Sequence, residues 1–307
     1  MKKTILILIL AIASLGFAGA KEDYEAAQKL AQNKKYDESI QALDKIAKGT
    51  DKEYAVRSNY QLGSYYVSKQ DYATAKKYLL AAVSDSTNKA PEALESLYRL
   101  ANVYFQEKDL VNAEKYLVEV NRRTENKDAG YLTDLIIYYL ETNQGTKADA
   151  KYKSAMQSLS KDQAAVLANY MGEYYVNKSD LVKAQSYFSE AIKDSASKGS
   201  AATAFRLGQI AITNGNKEEA EKYFIMMNEK TEWKDEEALK VLGIFYLDTQ
   251  NYDKAEETLK KAIAINPKNL EARVILLELY ETKNDQNSVS RMISEIKAIQ
   301  PVAVNKN

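Results

Sequence analysis

Apolar and small residues recur along this chain at spacings of three and four, which is the period of one face of an α-helix. Val56, Tyr60 and Val67 follow this spacing, and a second run with the same spacing covers residues 72–82. The polar residues 69–71 separate the two runs and are typical of a turn. The pattern therefore predicts two amphipathic helices joined by a short turn.

This two-helix pattern repeats along the chain. A small residue in the second helix marks each copy: Ser39, Ala75, Ala113, Ala148, Ala184, Ala220, Ala255 and Val289, at intervals of 34 to 38 residues. A fixed period of this length is the signature of a repeat architecture, in which no copy can bury its apolar face alone. The predicted repeats are approximately 20–55, 56–93, 94–128, 129–164, 165–200, 201–235, 236–269 and 270–301.

The best copy carries a family resemblance. Residues 236–268 contain Leu242-Gly243, Tyr246, Tyr252, Ala255, Leu259, Ala262 and Pro267. This set resembles the tetratricopeptide repeat (TPR), and the resemblance extends over almost all of residues 21–301. It implies an all-α fold, an α-solenoid of about eight TPR-like helix–turn–helix repeats forming a right-handed superhelix. The repeat 129–164 departs from the pattern, because Ile136 stands where most repeats have a small residue.

Both ends of the chain differ from the repeats. Lys2 and Lys3 precede the apolar run 5–12, and small residues at 18–20 complete the pattern of a signal peptide. We therefore predict a signal peptide over residues 1–20, cleaved after Ala20, with a retained membrane anchor as the alternative. Residues 302–307 are predicted to be a C-terminal tail.

Composition narrows the chemistry. The chain has no Cys and no His, so it lacks thiol nucleophiles and the commonest acid–base residue and metal ligand. It has 43 basic and 43 acidic residues, which does not favour binding to nucleic acid. No glycine-rich phosphate loop is present. We predict no catalytic residues, no metal and no cofactor.

The resemblance also implies where partners bind, because the first helix of each repeat lines a concave groove in this family. Aromatic, amide and arginine side chains at facing positions suit a groove for a polypeptide. The candidate partner-binding residues are Tyr60, Ser64, Tyr98, Arg99, Asn102, Asn169, Glu173, Asn177, Phe205, Arg206 and Gln209. The alternative is that they are ordinary solvent-facing residues. The paired tyrosines, among them Tyr138-Tyr139, recur at one position and are predicted to pack between helices.

Together these patterns predict an exported scaffold in the periplasm or cell envelope that binds protein or peptide partners. A clamp for a C-terminal carboxylate is not favoured, because Arg99 and Arg206 lie three repeats apart. The alternatives are a secreted or surface-displayed protein that binds host or neighbour-cell ligands, and an enzyme or enzyme-regulating subunit. Association of the end repeat with a second copy of the chain stays open.

Overall fold

The computed structural model describes residues 19–193 and 199–299, and within these ranges every regular element is an α-helix. This confirms the predicted all-α solenoid of helix pairs. The predicted signal segment up to residue 18 and the predicted tail lie outside the described residues. The chain divides into two compact units, residues 1–158 (unit 1) and 159–307 (unit 2). None of the described helices is long and apolar enough to cross a membrane.

Unit 1 consists of four helix pairs in chain order. Its helices are α1 (Ala20–Gln32), α2 (Tyr36–Ala47), α3 (Lys52–Ser68), α4 (Tyr72–Ala82), α5 (Pro91–Gln106), α6 (Leu110–Arg123), α7 (Ala129–Glu141) and α8 (Gly145–Ser158). The two helices of each pair contact each other, and each second helix contacts the first helix of the next pair. The first helices also meet, α1 with α3 and α3 with α5. This sequential packing is the nearest-neighbour arrangement of a repeat protein.

Unit 2 repeats the arrangement. Its helices are α9 (Lys161–Asn177), α10 (Leu181–Ile192), α11 (Gly199–Thr213), α12 (Lys217–Lys230), α13 (Glu236–Asp248), α14 (Tyr252–Ile265), α15 (Leu270–Thr282) and α16 (Gln286–Ile299). Consecutive helices contact each other along the whole unit, and α13 also contacts α15. Its core is built from the small and apolar residues that mark the repeats, such as Ala220, Leu242 and Ala255.

Several predicted repeat boundaries fall inside helices. Helix α3 begins at Lys52 and not at residue 56, because the Asp51 carboxylate caps the helix by accepting hydrogen bonds from the backbone N–H groups of Glu53 and Tyr54. Helix α5 begins at Pro91, and α9 begins after a capping box formed by Ser160. The boundaries after residues 93, 164 and 200 are displaced in the same direction. The cap precedes the first apolar residue, so apolar spacing alone places the boundary too late.

A small residue allows the two helices of a pair to approach closely. In unit 2, a Cβ atom added at Gly172 in α9 would lie 2.5 Å from Cε1 of Phe188 in α10. The same geometry recurs between Gly208 and Phe224. Phe188 is completely buried, so its ring occupies the space that a side chain at residue 172 would need.

The recurring tyrosines pack within and between pairs. In both units a tyrosine of the first helix stacks on one in the second helix, with ring planes only 6° or 7° from parallel. The stacked pairs are Tyr66 with Tyr78, Tyr104 with Tyr116, and Tyr175 with Tyr187.

Lysine side chains connect successive pairs. Each of three lysines lies over a tyrosine ring and also forms an ion pair with a glutamate of a neighbouring repeat. We call these groups the Lys–Tyr–Glu triads. They are Lys76, Tyr104 and Glu107; Lys147, Tyr139 and Glu114; and Lys254, Tyr246 and Glu221, with Nζ–Oε distances of 2.6, 2.9 and 2.8 Å.

The turn within a pair contains one residue in the left-handed region of backbone conformation. Gln250, between α13 and α14, has φ of +62°, and Gly215, between α11 and α12, has φ of +75°. Glycine adopts this conformation without strain, whereas a residue with a Cβ does so at an energetic cost. The same left-handed position is occupied by non-glycine residues in most of the described turns.

Candidate partner-binding site

The structure places every candidate partner-binding residue on a first helix. In unit 1, Tyr60 and Ser64 lie on α3, and Tyr98, Arg99 and Asn102 lie on α5; in unit 2, Asn169, Glu173 and Asn177 lie on α9, and Phe205, Arg206 and Gln209 lie on α11. The two sets therefore belong to different units, and each is described separately. We call the solvent-facing sides of α1, α3, α5 and α7 the first-helix face of unit 1.

Tyr60 and Arg99 join neighbouring first helices of unit 1. The Arg99 guanidinium lies over the Tyr60 ring, 5.4 Å from its centroid, and Nη2 donates to the phenol oxygen at 3.4 Å. The Ser64 hydroxyl donates to the backbone carbonyl of Tyr60 at 2.8 Å. This part of the face is therefore held mainly by contacts within the chain.

Tyr98 and Asn102 lie on the other side of α5, where it faces α7. The Tyr98 ring is 6.0 Å from the ring of Tyr131, and burial raises the pKa of its hydroxyl. Asn102 is exposed and is a hydrogen-bonding partner of the Tyr98 side chain. Tyr131 in turn donates its hydroxyl to Glu95 at 3.0 Å.

A cavity of about 230 Å³ opens between α5 and α7. We call it the α5–α7 cavity. Its walls are three aromatic rings, Tyr98, Phe105 and Tyr138, and its polar groups are Asn102, Asp134 and Glu141. The rings of Phe105 and Tyr138 contact each other nearly edge to face, with centroids 6.1 Å apart. Its apolar lining is completed by Ala101, Leu117 and Ile137. Two of the predicted residues, Tyr98 and Asn102, therefore line one concave site.

The charge in this cavity is negative. Burial is the main cause that raises the pKa of Asp134 to about 6, and the nearby carboxylates of Asp128 and Glu95 raise it further. Within the described residues the Asp134 carboxylate makes no hydrogen bond and no ion pair, and neither Lys nor Arg lines the cavity. Ionised Asp134 is therefore partly desolvated with no charge to compensate it.

Asp134 and Ile137 are not among the residues predicted from the sequence. They lie 35 residues after Arg99 and Asn102, which is one repeat period, so the register that selected those two residues also identifies them. In the structure, Tyr138 does more than pack between helices. Its hydroxyl donates to the Leu110 carbonyl at 2.8 Å, while its ring borders the cavity.

The candidate residues of unit 2 mostly bond to one another. Glu173 accepts a hydrogen bond from Nε of Arg206 at 2.7 Å, and Nη1 of Arg206 donates to Gln209 at 3.2 Å. Asn169 accepts from the Thr203 hydroxyl at 2.7 Å.

Phe205 is partly buried and packs on the core of unit 2, with its ring centroid 6.4 Å from that of Phe224. Asn177 is exposed at the end of α9. Within unit 2, Glu173, Arg206 and Gln209 are therefore held by contacts with one another.

Sequence models of known families match both units. A model described as the SusR N-terminal TPR domain matches residues 12–125, and two models described as tetratricopeptide repeat match residues 201–225 and 236–269. Together these matches span more than half of the chain. No curated protein matches the sequence.

Among solved structures, a TPR protein shows the same fold. The C-terminal part of a TPR repeat-containing protein from Cytophaga hutchinsonii is 15% identical, with a TM-score of 0.50, and the match covers 80% of this chain and 96% of that one. The pilF protein of Pseudomonas aeruginosa is 17% identical, with a TM-score of 0.42, and the match covers 69% and 94%. YrrB, described as a TPR protein with an unusual peptide-binding site, is 20% identical, with a TM-score of 0.44 and coverage of 61% and 93%.

Proposed function

Since this chain is a tetratricopeptide-repeat protein, we propose that it is an interaction scaffold that holds a partner polypeptide on the first-helix face of unit 1. The α5–α7 cavity anchors the partner. Proteins of this family generally bind protein or peptide partners. Their stacked repeats provide an extended surface for binding. The partner is therefore a polypeptide segment that crosses α5 and α7.

The observation that carries this proposal is the α5–α7 cavity itself. Binding energy at protein interfaces concentrates in a few side chains that enter desolvated pockets with aromatic walls. Tyr98 and Phe105 provide such walls, and Phe105 remains 39% exposed although it is a large apolar residue. The exposed amide of Asn102 lies at the rim, where it can pair with the backbone of an extended peptide.

We further propose that the chain is exported and works in the cell envelope. The support is the sequence pattern of residues 1–20, in which two lysines precede a short apolar run and a small-residue cleavage site. Mass spectrometry of the protein purified from a fractionated native cell tests this. A chain beginning at Lys21 in the envelope fraction agrees with the proposal. A full-length chain in the cytoplasmic fraction contradicts it.

Site-specific photo-cross-linking in the native cell tests the binding face. A photoreactive amino acid replaces Asn102 at the cavity rim or, as the control, Val111, which is 81% exposed on the second helix α6. Both positions are in unit 1 and reachable from solvent. We expect residue 102 to give a discrete adduct with one polypeptide and residue 111 to give none. Equal labelling from both positions would refute the assignment of the face.

A further inference from the structure

We propose that the α5–α7 cavity receives the side chain of a lysine or arginine carried by the partner polypeptide. This inference rests on the proposed function and specifies the chemistry of its anchor. It follows from the charge of the cavity, from its aromatic walls, and from a grouping of side chains that the protein uses elsewhere.

The charge of the cavity calls for a cation. Asp134 brings a partly desolvated carboxylate to the lining, and the Glu95 and Asp128 carboxylates lie close enough to act on it. None of the groups that shift Asp134 is basic. A partly desolvated carboxylate is unfavourable without a compensating charge, so an entering ammonium or guanidinium group lowers the free energy of the site. An acidic side chain would be repelled.

The aromatic walls suit the same guest. A cation is attracted to the face of an aromatic ring, and the attraction strengthens as water is excluded. Tyr98, Phe105 and Tyr138 provide rings around the carboxylates. The apolar surface contributed by Ala101, Leu117 and Ile137 matches the methylene groups that carry the charge of lysine and arginine.

The protein already builds this combination with its own side chains. In each Lys–Tyr–Glu triad one lysine ammonium lies over a tyrosine ring and pairs with a glutamate, as Lys147 lies 5.2 Å from the Tyr139 centroid and 2.9 Å from Glu114. The α5–α7 cavity presents the tyrosine and the carboxylate of such a group. No Lys or Arg is among the described residues that line it, and the partner supplies the basic member.

The volume of the α5–α7 cavity fits a single side chain. Pockets that hold drug-sized molecules enclose about 300–1,000 Å³, whereas this cavity encloses about 230 Å³. It accommodates one long side chain and not a folded surface or a large ligand. The occupant is therefore a basic residue within an extended segment.

A random-peptide display library panned against the full chain tests the inference. The selected peptides are sequenced, and the tightest is titrated calorimetrically as synthesised and with its basic residue replaced by norleucine, which keeps the carbon chain and removes the charge. We expect enrichment of lysine or arginine at one position and a loss of affinity of about tenfold or more with norleucine. The protein variant Asp134→Asn with Glu141→Gln should weaken the original peptide similarly and leave the norleucine peptide almost unaffected.

The control is Asp149→Asn, which removes an exposed carboxylate on α8 of the same unit and should leave the affinity unchanged. Peptides that lose affinity with Asn102→Ala or Phe105→Ala but need no basic residue would overturn the cation assignment and leave the proposed function standing. Peptides insensitive to all four cavity substitutions, or a library that yields no binder, would overturn the proposed function as well. Circular dichroism confirms that each variant is folded before its titration.

Discussion

The close approach of α9 and α10 makes a quantitative prediction. In Gly172→Ala, the new Cβ would lie 2.5 Å from Cε1 of Phe188, whereas carbon atoms in contact lie about 3.5–4.0 Å apart. The buried Phe188 ring or the helix axis must therefore move by roughly 1 Å. Overpacking of this kind costs about 1–3 kcal/mol, and alanine recovers about 0.5–1 kcal/mol as the better helix former. We expect the free energy of unfolding to fall by about 1 kcal/mol, and by at most about 2.5 kcal/mol.

Urea unfolding followed by tryptophan fluorescence measures this change in the relevant unit. Trp233 is the only tryptophan of the chain and lies in unit 2 together with Gly172 and Phe188. Gly145→Ala is the control, because nothing lies within 4 Å of a Cβ atom added at residue 145. Its unfolding is followed by circular dichroism, since Gly145 lies in unit 1 and Trp233 lies in unit 2. Its stability should stay the same or rise by up to about 1 kcal/mol.

A second substitution tests whether the ring is the cause. In the α5–α6 pair the equivalent positions are held by Ala101 and Leu117, so Gly172→Ala with Phe188→Leu reproduces a combination that the protein already uses. Phe188→Leu alone leaves space and costs about 1–2 kcal/mol. The double variant should be more stable than the sum of the single effects by about 1 kcal/mol or more. Additive effects, or a Gly172→Ala protein as stable as wild type, would refute the reasoning.

Three further predictions follow from the turns and the charged groups. Gln250→Gly should stabilise unit 2 by about 0.5–1 kcal/mol and Gly215→Ala should destabilise it by about 1 kcal/mol, because both residues have positive φ; the opposite sign in urea unfolding would contradict this. The folded-state pKa of Asp134, about 6, exceeds the ordinary value of 3.8, so its contribution to stability is present below pH 4 and is lost as the pH rises through 6. Wild type should therefore lose up to about 3 kcal/mol relative to Asp134→Asn between about pH 4 and pH 7, and a parallel pH dependence of the two proteins would exclude this. Glu173→Gln should cost less than about 1 kcal/mol, since Glu173 and Arg206 are both about 40% exposed, and it should leave capture through residue 102 intact; loss of capture would place the binding face in unit 2.

The helices were predictable because their periodicity is local. The spacing of Val56, Tyr60 and Val67 predicts α3 without reference to the rest of the chain. The start of a helix depends instead on a polar capping residue that lies outside the apolar pattern. The caps formed by Asp51 and Ser160 therefore make α3 and α9 begin earlier than the apolar spacing predicts.

The candidate site was predictable in part. Tyr98 and Asn102 were identified from their position in the repeat, and the structure places both in the lining of the α5–α7 cavity. Asp134 was not predicted, although it lies one repeat period after Arg99. The burial of Asp134 depends on how closely α5 and α7 pack, and a single sequence does not reveal the distance between two helices.

The Lys–Tyr–Glu triads have a consequence for how many repeats melt at once. Each ion pair joins residues about 30 positions apart and therefore couples one helix pair to its neighbour, in addition to the buried apolar residues that pack within and between pairs. Dissolved salt screens charges near the surface and leaves apolar contacts intact. Raising the ionic strength should accordingly weaken the coupling between neighbouring pairs, so that the number of repeats that unfold as one cooperative block depends on the salt concentration.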